Sequence, residues 1–403
     1  MDVREPIRDA AGVADMADRA REVGRMALDF EFLWERTYAP VPCLAQVNVA
    51  GDVFLVDPIE GAPLHPIAEL VSDADVTVVM HAPSADLTLL ALATDVAPRA
   101  LVDVQTTAGF VGLGAGQGLA ALLDRVLRVH LDKGERYTDW SRRPLSPAQN
   151  EYAAADVAHL LDLADELDRR AQALGRTTWV QEEHARRFGP DARFVTEPER
   201  AWRKVKGQGR LNGRDRAVLV ELAAWREREA RRADRPTSWI LPDRTLVELA
   251  RRRPATRKAL ESERGVPDRI RGAEADAVLE AIRAGGEADP VAVKPAPPSD
   301  LQARAEVLAP LGAAMIAARA DAVDLAPSLL ATRDDISSYL VASLAGDTNG
   351  HPLASGWRHE IGGAALADLA AGRLAIAASP RRPYLVEVGL DADGTPGRVP
   401  DGT

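Results

Sequence analysis

The chain has 403 residues, 46% of them apolar and 28% charged, so it is long enough for several domains with ordinary cores. Its single cysteine, Cys43, excludes an internal disulfide and a cysteine-based zinc site. The net charge of −11 argues against a protein that coats nucleic acid, although residues 201–280 carry 20 basic against 13 acidic side chains. Because we find neither a secretory leader pattern nor an apolar run near ~20 residues, we expect a cytoplasmic protein without a membrane contact.

Residues 1–195 are predicted to alternate between strands and helices. We expect strands at 26–32, 76–80 and 101–104, a hairpin at 44–57, and helices at 84–93, 105–113, 117–130 and 147–174. The last helix has the clearest start, because Ser146 can cap it, Pro147 suits its first position and Gln149 completes a capping box. The glycine-rich run 112–118 lacks a phosphate-loop ending and is interpreted as a turn between helices. This order predicts a mixed sheet flanked by helices.

The remainder of the chain is predicted to be mainly helical. Residues 196–284 have helical periodicity and are rich in arginine, and residues 285–300 form a Pro/Ala-rich linker. Residues 301–380 are again helical and rich in Ala and Leu, and an irregular tail is expected at 381–403. We refer to 1–195, 196–284 and 301–380 as the N-terminal, central and C-terminal domains.

Three short motifs contain the residues that could take part in catalysis or metal binding. In the predicted strand, Asp29 and Glu31 alternate with apolar residues, so both carboxylates lie on one face. Tyr152 and Asp156 are four residues apart in the predicted helix and therefore lie on one side of it. Asp86 follows a strand-to-helix turn. Taken singly, each motif is also typical of a solvated strand face, a helix surface pair or an acid that offsets a helix dipole.

Taken together, the motifs indicate one metal site. Four carboxylates at close range require a compensating cation, and all-oxygen ligands favour a hard ion such as Mg²⁺ or Mn²⁺. Two such ions roughly 3.5–4 Å apart can activate a water and stabilise the leaving oxygen in phosphoryl transfer. A tyrosine hydroxyl beside them can position that water.

The contexts of these motifs resemble the ribonuclease D family, within the exonucleases defined by four acids and a tyrosine. They are MALDFEFLWERTYAPVPCLAQV at 26–47, HAPSADLTLL at 81–90 and DWSRRPLSPAQNEYAAADVAHLLDL at 139–163. The resemblance implies a ribonuclease H-like α/β domain, with a mixed sheet flanked by helices. Residues 201–280 resemble the helical HRDC module, and 301–378 a second such module, so two all-α bundles are expected after the exonuclease domain.

The resemblance also implies the reaction. Asp29, Glu31, Asp86 and Asp156 would hold two divalent ions, Mg²⁺ or Mn²⁺, and Tyr152 would orient the attacking water. The product would be nucleoside 5′-monophosphates, released one at a time from the 3′ end of RNA. Precursors of tRNA are among the expected substrates, and the family suggests a monomer.

Several further residues are candidates for substrate contact. By resemblance, Phe30 would accommodate the terminal nucleotide. His81 and Lys133 are candidates for phosphate contact, with a turn histidine and a surface lysine as the alternatives. In the central domain, Lys204, Lys206 and Arg210 belong to a basic surface that either contacts phosphates or is simply solvated, since glutamates are interspersed.

Other functions remain open from the sequence alone. A DNA 3′–5′ exonuclease would use the same catalytic core, because the metal ions contact phosphates in both substrates. A non-catalytic RNA-binding scaffold is the alternative from another class, although all five site residues are present. The C-terminal domain could equally serve dimerisation or solubility.

Overall fold

The computed structural model describes residues 5–94, 96–131, 134, 138–189, 192–292, 298–381, 384–391, 393 and 395. Within these residues, the N-terminal domain contains a mixed sheet of five strands in the order β3-β2-β1-β4-β5, which confirms the predicted fold class. The strands are Arg25–Leu33 (β1), Val41–Val49 (β2), Asp52–Val56 (β3), Thr77–Met80 (β4) and Leu101–Asp103 (β5). Strand β1 is antiparallel to β2 and parallel to β4.

The helices of this domain cover both faces of the sheet. They are Ala10–Val23 (α1), His65–Ser72 (α2), Ser84–Thr94 (α3), Val104–Phe110 (α4), Leu119–Leu127 (α5), Pro147–Ala158 (α6), Leu160–Ala173 (α7) and Thr177–Phe188 (α8). Neighbouring residues of β1 point to opposite sides, so Leu28 packs in the core beneath α1 and α2, whereas Ala27 joins the core beneath α4 and α7.

The start of α6 is as predicted, but its length is not. Ser146 Oγ accepts from the Gln149 amide at 3.1 Å, and Gln149 Oε1 accepts from the Ser146 amide at 3.0 Å, which completes the capping box. The single helix expected over 147–174 is wrong, because it is interrupted at His159. The physical reason is that Asn48 of the neighbouring strand β2 donates to the carbonyl oxygens of Val157 and Ala158 at the helix end.

The central domain is a helical bundle with its own core. Its helices are Gly213–Ala233 (α9), Thr237–Ile240 (α10), Asp243–Arg252 (α11), Arg257–Glu261 (α12) and Gly272–Glu287 (α13). The predicted linker start at 285 is too early, since α13 continues to Glu287. Gly285 is buried and packs so closely against α9 that a Cβ there would be 2.5 Å from Val218 Cα, so it belongs to the bundle and not to a linker.

The C-terminal segment contains helices and a hairpin. The helices are Ser299–Ala322 (α14), Pro327–Leu330 (α15), Arg333–Ala345 (α16), Gly356–Arg358 (α17) and Ala364–Ala370 (α18). Strands Leu374–Ala378 (β6) and Leu385–Gly389 (β7) pair antiparallel. An irregular tail from 381 is therefore wrong for 385–389, where Glu387 forms an ion pair of 2.6 Å with Arg319 of α14. None of the helices described is long and apolar enough to cross a membrane.

The C-terminal segment shares a core with the N-terminal domain. Phe110 of α4 contacts Trp357 edge-on with ring centroids 5.3 Å apart, and Trp179 of α8 stacks on the same indole at 5.4 Å. The buried Arg176 guanidinium donates to the carbonyl oxygens of Phe110 and Val323, one from each segment. The C-terminal helices are thus packed onto α4 and α8 by apolar contacts and by hydrogen bonds.

Candidate active site

The edge of the sheet presents the first two acids. Strand β1 pairs with β4 only from Arg25 to Ala27, so Asp29 and Glu31 extend beyond the end of β4. Because β1 and β4 are parallel, both run toward this edge, and the chain after β4 turns there into α3, whose first turn contains Asp86. The carboxyl ends of parallel strands are a common position for ligand sites in α/β proteins. The fold therefore brings Asp86 beside the two acids of β1.

Helix α6 brings the remaining two residues to the same edge. Asn48 of β2 donates from Nδ2 to the carbonyl oxygens of Val157 and Ala158, both at 3.0 Å. These bonds satisfy carbonyl groups at the end of α6, which is why the helix can stop at His159. They also fix α6 against the sheet within two residues of Asp156.

A cavity of about 640 Å³ joins these elements. Asp29, Glu31, Tyr152 and Asp156 line it, and Phe30 also contributes although its residue surface is only 4% exposed. The Tyr152 ring lies 6.0 Å from that of Trp140, centroid to centroid. The cavity thus contains carboxylates, a phenol and apolar surface, with α6 on one side and β1 on the other.

Burial raises the pKa of all four acids, and repulsion by neighbouring carboxylates raises the pKa of Asp29 and Glu31 further. Burial, followed by the charges of Asp86, Asp156 and Glu31, raises the pKa of Asp29 well above its usual range. Burial and the charges of Asp156 and Asp86 raise the pKa of Glu31 to about 8. Burial raises the pKa of Asp86 and of Asp156 to about 7. Asp86 does not line the cavity, but its effect on Asp29 and Glu31 places its charge next to theirs.

The four carboxylates are close enough to repel each other without forming a finished ligand cage. Within the described part of the chain, no three acidic, histidine or cysteine side chains are arranged to ligate one ion as they stand. The donor chemistry nevertheless fits hard divalent cations, which take oxygen ligands and favour the charged form of nearby carboxylates. A cation would replace the repulsion among these acids by attraction and draw the carboxylates around itself.

A buried amide next to the acids is missing from the sequence-based prediction. Gln46 of β2 lies directly across from Asp29 in the antiparallel register, so both side chains point to the same face. Gln46 is fully buried, and neither its Oε1 nor its Nε2 has a hydrogen-bond partner. Such an orphaned amide fits a site that gains polar partners when a ligand binds. Gln46 and Asn48 alternate with apolar residues in β2, and this pattern could have been used to predict that both side chains face the site.

Hydrogen bonds to Asp103 and Gln117 hold the turn that contains His81. The amide of Ala82, at φ +53°, donates to Asp103 Oδ1 at 2.9 Å. His81 lines the cavity, and its Nε2 donates to the Gln117 carbonyl at 2.9 Å, as does Gln105 Nε2 at 3.0 Å. The glycine-rich run is thus a turn between α4 and α5, as predicted, and it is anchored to the turn before Asp86.

The other candidate substrate contacts lie apart from the carboxylate cavity. Lys204, Lys206 and Arg210 are exposed near the start of the central domain. Lys204 Nζ donates to Thr196 Oγ1 at 2.7 Å, and the Lys204 residue lines two other cavities. Lys133 lies outside the described residues.

The raised pKa values predict how the metal-free protein responds to pH. The unfolded chain releases the Glu31 proton near 4.5, whereas the folded protein holds it to about 8. Between these values the folded state binds more protons than the unfolded state, so its stability falls as pH rises. We expect the melting temperature in chelator to fall through this window, and to fall less in Glu31→Gln. An identical pH dependence in the two proteins would contradict this electrostatic account.

An internal ion pair holds the loop that leads into α6. Arg143 forms two bonds of 2.6 Å to the buried Asp57 and donates to the Cys43 carbonyl at 2.6 Å. Removing one member leaves the other charge buried without a partner. We expect Arg143→Met to lower the free energy of unfolding by about 3–5 kcal/mol in urea titrations.

The matched control for this substitution is the preceding arginine. The Arg142 side chain is 84% exposed and pairs with Asp139 at 3.2 Å. Arg142→Met should change the free energy of unfolding by no more than about 0.5 kcal/mol. Equal losses of unfolding free energy in the two variants would show that the ion pair between Arg143 and Asp57 does not stabilise the protein more than an exposed pair does.

Comparisons with known proteins agree with this fold and arrangement. Residues 5–172 match a family model described as 3′–5′ exonuclease, and residues 215–282 match the HRDC domain model. These matches, with the mixed sheet and its acidic edge, define the class of protein as a 3′–5′ exonuclease with a helical HRDC domain.

Full-length relatives identify the family. The chain is 36% identical over 385 residues to ribonuclease D of Acidiphilium cryptum, covering 95% of this chain and 97% of that one. It is 36% identical over 377 residues to ribonuclease D of a Jannaschia species, covering 92% and 96%. The crystal structure of Escherichia coli RNase D matches with a TM-score of 0.76 and 28% identity, over 91% of this chain and 98% of that chain. The chain belongs to the ribonuclease D family and is a 3′–5′ exoribonuclease.

Proposed function

We propose that Asp29, Glu31, Asp86 and Asp156 hold two divalent cations, Mg²⁺ or Mn²⁺, with which the protein hydrolyses RNA from its 3′ end to nucleoside 5′-monophosphates. The observation that carries this proposal is that Asp29, Glu31 and Asp156 line one cavity together with Tyr152, and that the charges of Asp86 and Asp156 act on both Asp29 and Glu31. Bound there, the cations would supply charge for the phosphate oxygens and make a water acidic enough to lose a proton near neutral pH.

The protein's own residues have distinct parts in this proposal. Backbone pairing holds the strand that carries Asp29 and Glu31, and a hydrogen bond holds the turn before α3, so metal binding would need movement of the carboxylate side chains but not of the backbone. Tyr152 lies one helical turn before Asp156 and lines the same cavity, and we assign its hydroxyl to hold the attacking water. The apolar side of Phe30 would contact the terminal nucleoside, and the buried Gln46 amide would orient the neighbouring Asp29 carboxylate.

RNA with a structured body and an accessible 3′ end is the proposed substrate, precursors of tRNA among them. The E. coli relative is described as an exoribonuclease involved in structured RNA processing, and the present chain matches it over nearly its whole length. The basic residues of the central domain, Lys204, Lys206 and Arg210 included, would contribute phosphate contacts that are independent of sequence and sensitive to salt. We also propose that the enzyme acts as a cytoplasmic monomer.

A side-by-side digestion tests this proposal. Matched RNA and DNA oligonucleotides, each with a free or a blocked 3′ end, would be incubated with the protein and Mg²⁺, Mn²⁺ or chelator. We expect mononucleotides from the RNA with a free 3′ end, in the presence of metal, and none from the blocked strand. Faster digestion of DNA would favour a DNA exonuclease, and inertness with both metals would contradict catalysis.

A further inference from the structure

The hairpin of β1 and β2 carries Glu31 beyond the body of the sheet. Strand β4 pairs with β1 only up to Ala27, and β3 pairs with β2 only from Ala45. In the part of the chain that the structure describes, the hairpin from Glu31 onward is therefore a ribbon of two strands. Two-stranded ribbons have little stability of their own. The position of the Glu31 carboxyl group thus depends on the contacts that hold this ribbon.

A register irregularity lies next to Glu31. The pairing shifts between Glu31 and Phe32, where Cys43 of β2 is an extra residue without a partner in β1. Such a bulge interrupts the hydrogen-bond ladder and bends the ribbon. The base of the ribbon packs on α6, since Cys43 shares an apolar cluster with Ala153. Residues 34–40 lie further out and form the tip of the ribbon.

The central domain binds this tip through Tyr38. The Tyr38 hydroxyl donates to Glu227 Oε1 at 2.6 Å and accepts from Arg231 Nε at 2.9 Å, and both partners lie on α9. The Arg231 guanidinium also lies over the Tyr38 ring, 5.5 Å from its centroid. Glu227 is only 5% exposed, so removal of the phenol hydroxyl would take a hydrogen-bond donor away from a buried carboxylate.

Backbone groups of the tip contact the end of the same helix. Asp234, which caps α9, accepts from the amide of Tyr38 at 3.0 Å and from the amide of Ala39 at 3.4 Å. Within the tip, Trp34 Nε1 donates to the Tyr38 carbonyl at 3.0 Å. Burial and the hydrogen bond to Glu227 raise the pKa of Tyr38 to about 12, so the hydroxyl keeps its proton and remains a donor.

We propose that Tyr38 is a positioning residue for the hydrolysis, because its contact with α9 holds the ribbon that presents Glu31 to the metal ions. This inference rests on the proposed function, which assigns Glu31 as a metal ligand. Glu31 and Tyr38 are seven residues apart, on one side of the same ribbon and its tip. The central domain would then contribute to each cleavage through this contact, even on a substrate too short to reach it.

The test compares Tyr38→Phe with Tyr384→Phe. The first substitution removes only the hydroxyl that binds α9, and the second removes a hydroxyl from a residue that is 64% exposed. Each protein would be assayed in saturating Mn²⁺ on a dinucleotide and on a single-stranded RNA of about twelve nucleotides, a length within the range of single-strand sites. Mn²⁺ affinity would be measured by calorimetry, at a temperature at which circular dichroism shows each protein to be folded.

Glu227→Ala provides a second variant, alone and combined with Tyr38→Phe. If the Tyr38 hydroxyl acts through the Glu227 carboxylate, the two substitutions remove the same interaction, and their effects on kcat should not add. A residue that only stabilises the fold would not lower kcat in protein that remains folded.

We expect Tyr38→Phe to lower kcat several-fold on both substrates with little change in KM, and to weaken Mn²⁺ binding, whereas Tyr384→Phe should match the unchanged protein. A defect confined to KM for the longer RNA would overturn the proposal, since the contact would then serve RNA retention. Equal kcat and equal Mn²⁺ affinity in the two phenylalanine variants would also overturn it, as would additive losses in the double variant. An unchanged protein that cleaves neither RNA would contradict the proposed function, while the Mn²⁺ affinities would still test the role of Tyr38.

Discussion

Asp29→Asn is expected to reduce kcat for RNA digestion by about 10³-fold or more, with the fold retained. Metal ions contribute several kcal/mol to such reactions, and each 1.36 kcal/mol corresponds to a factor of ten in rate. The charges of all three other acids raise the pKa of Asp29, so its carboxyl group lies close to each of them. Its replacement should therefore affect both proposed ions. The measurement is the initial rate of mononucleotide release in Mg²⁺ and in Mn²⁺.

The control for Asp29→Asn is an exposed acid on the neighbouring helix. The Asp162 side chain is 71% exposed, and Asp162→Asn should leave the rate nearly unchanged. In chelator, Asp29→Asn should melt no earlier than the unchanged protein, because burial and repulsion raise the pKa of Asp29 and already favour its protonated form. Full activity in Asp29→Asn, or a large drop in its melting temperature, would contradict the assigned role.

Trp357→Ala is expected to cost about 3–5 kcal/mol of unfolding free energy, the usual range for truncating a buried tryptophan. The Trp357 residue is 3% exposed, and its ring contacts Phe110 of α4 and Trp179 of α8. These partners belong to the N-terminal domain, so the substitution should weaken that domain as well as the C-terminal segment. Urea denaturation followed by tryptophan fluorescence and by circular dichroism measures this loss.

An exposed tryptophan provides the matched comparison. Trp239 of the central domain is 53% exposed, and Trp239→Ala should change the unfolding free energy by no more than about 0.5 kcal/mol. If Trp357→Ala were as mild as Trp239→Ala, the shared core between the N-terminal domain and the C-terminal segment would not contribute to stability.

The sequence was informative where local rules decide the structure. Alternation in β1 predicted that Asp29 and Glu31 share a face, and Ser146 with Gln149 predicted the start of α6. The end of α6 depends on Asn48, which is 109 residues away from Val157 along the chain, so periodicity could not show the interruption at His159. The proximity of Asp86 to these acids likewise depends on the parallel pairing of β1 and β4.

The packing of the C-terminal segment against the N-terminal domain could not be predicted from the sequence, because it too depends on contacts between residues far apart in the chain. The residues 301–378 show helical periodicity, but periodicity does not tell which surface the helices cover. That surface is set by particular long-range contacts, such as Gly109, where an added Cβ would lie 2.6 Å from Leu329 Cδ1. Similarly, the ion pair between Glu387 and Arg319 ties β7 to α14 across 68 residues, in a segment whose Pro and Gly content favoured an irregular tail.

Calorimetric titration of Mn²⁺ into the protein tests the metal site most directly, because it does not depend on the choice of substrate. We expect two ions to bind the unchanged protein, binding to weaken below the raised pKa values of the acids, and Asp29→Asn to lose most of the heat of binding. Absence of Mn²⁺ binding above pH 8, where the Glu31 carboxyl is ionised, or equal binding by the unchanged protein and Asp29→Asn, would contradict a metal site built from these four carboxylates.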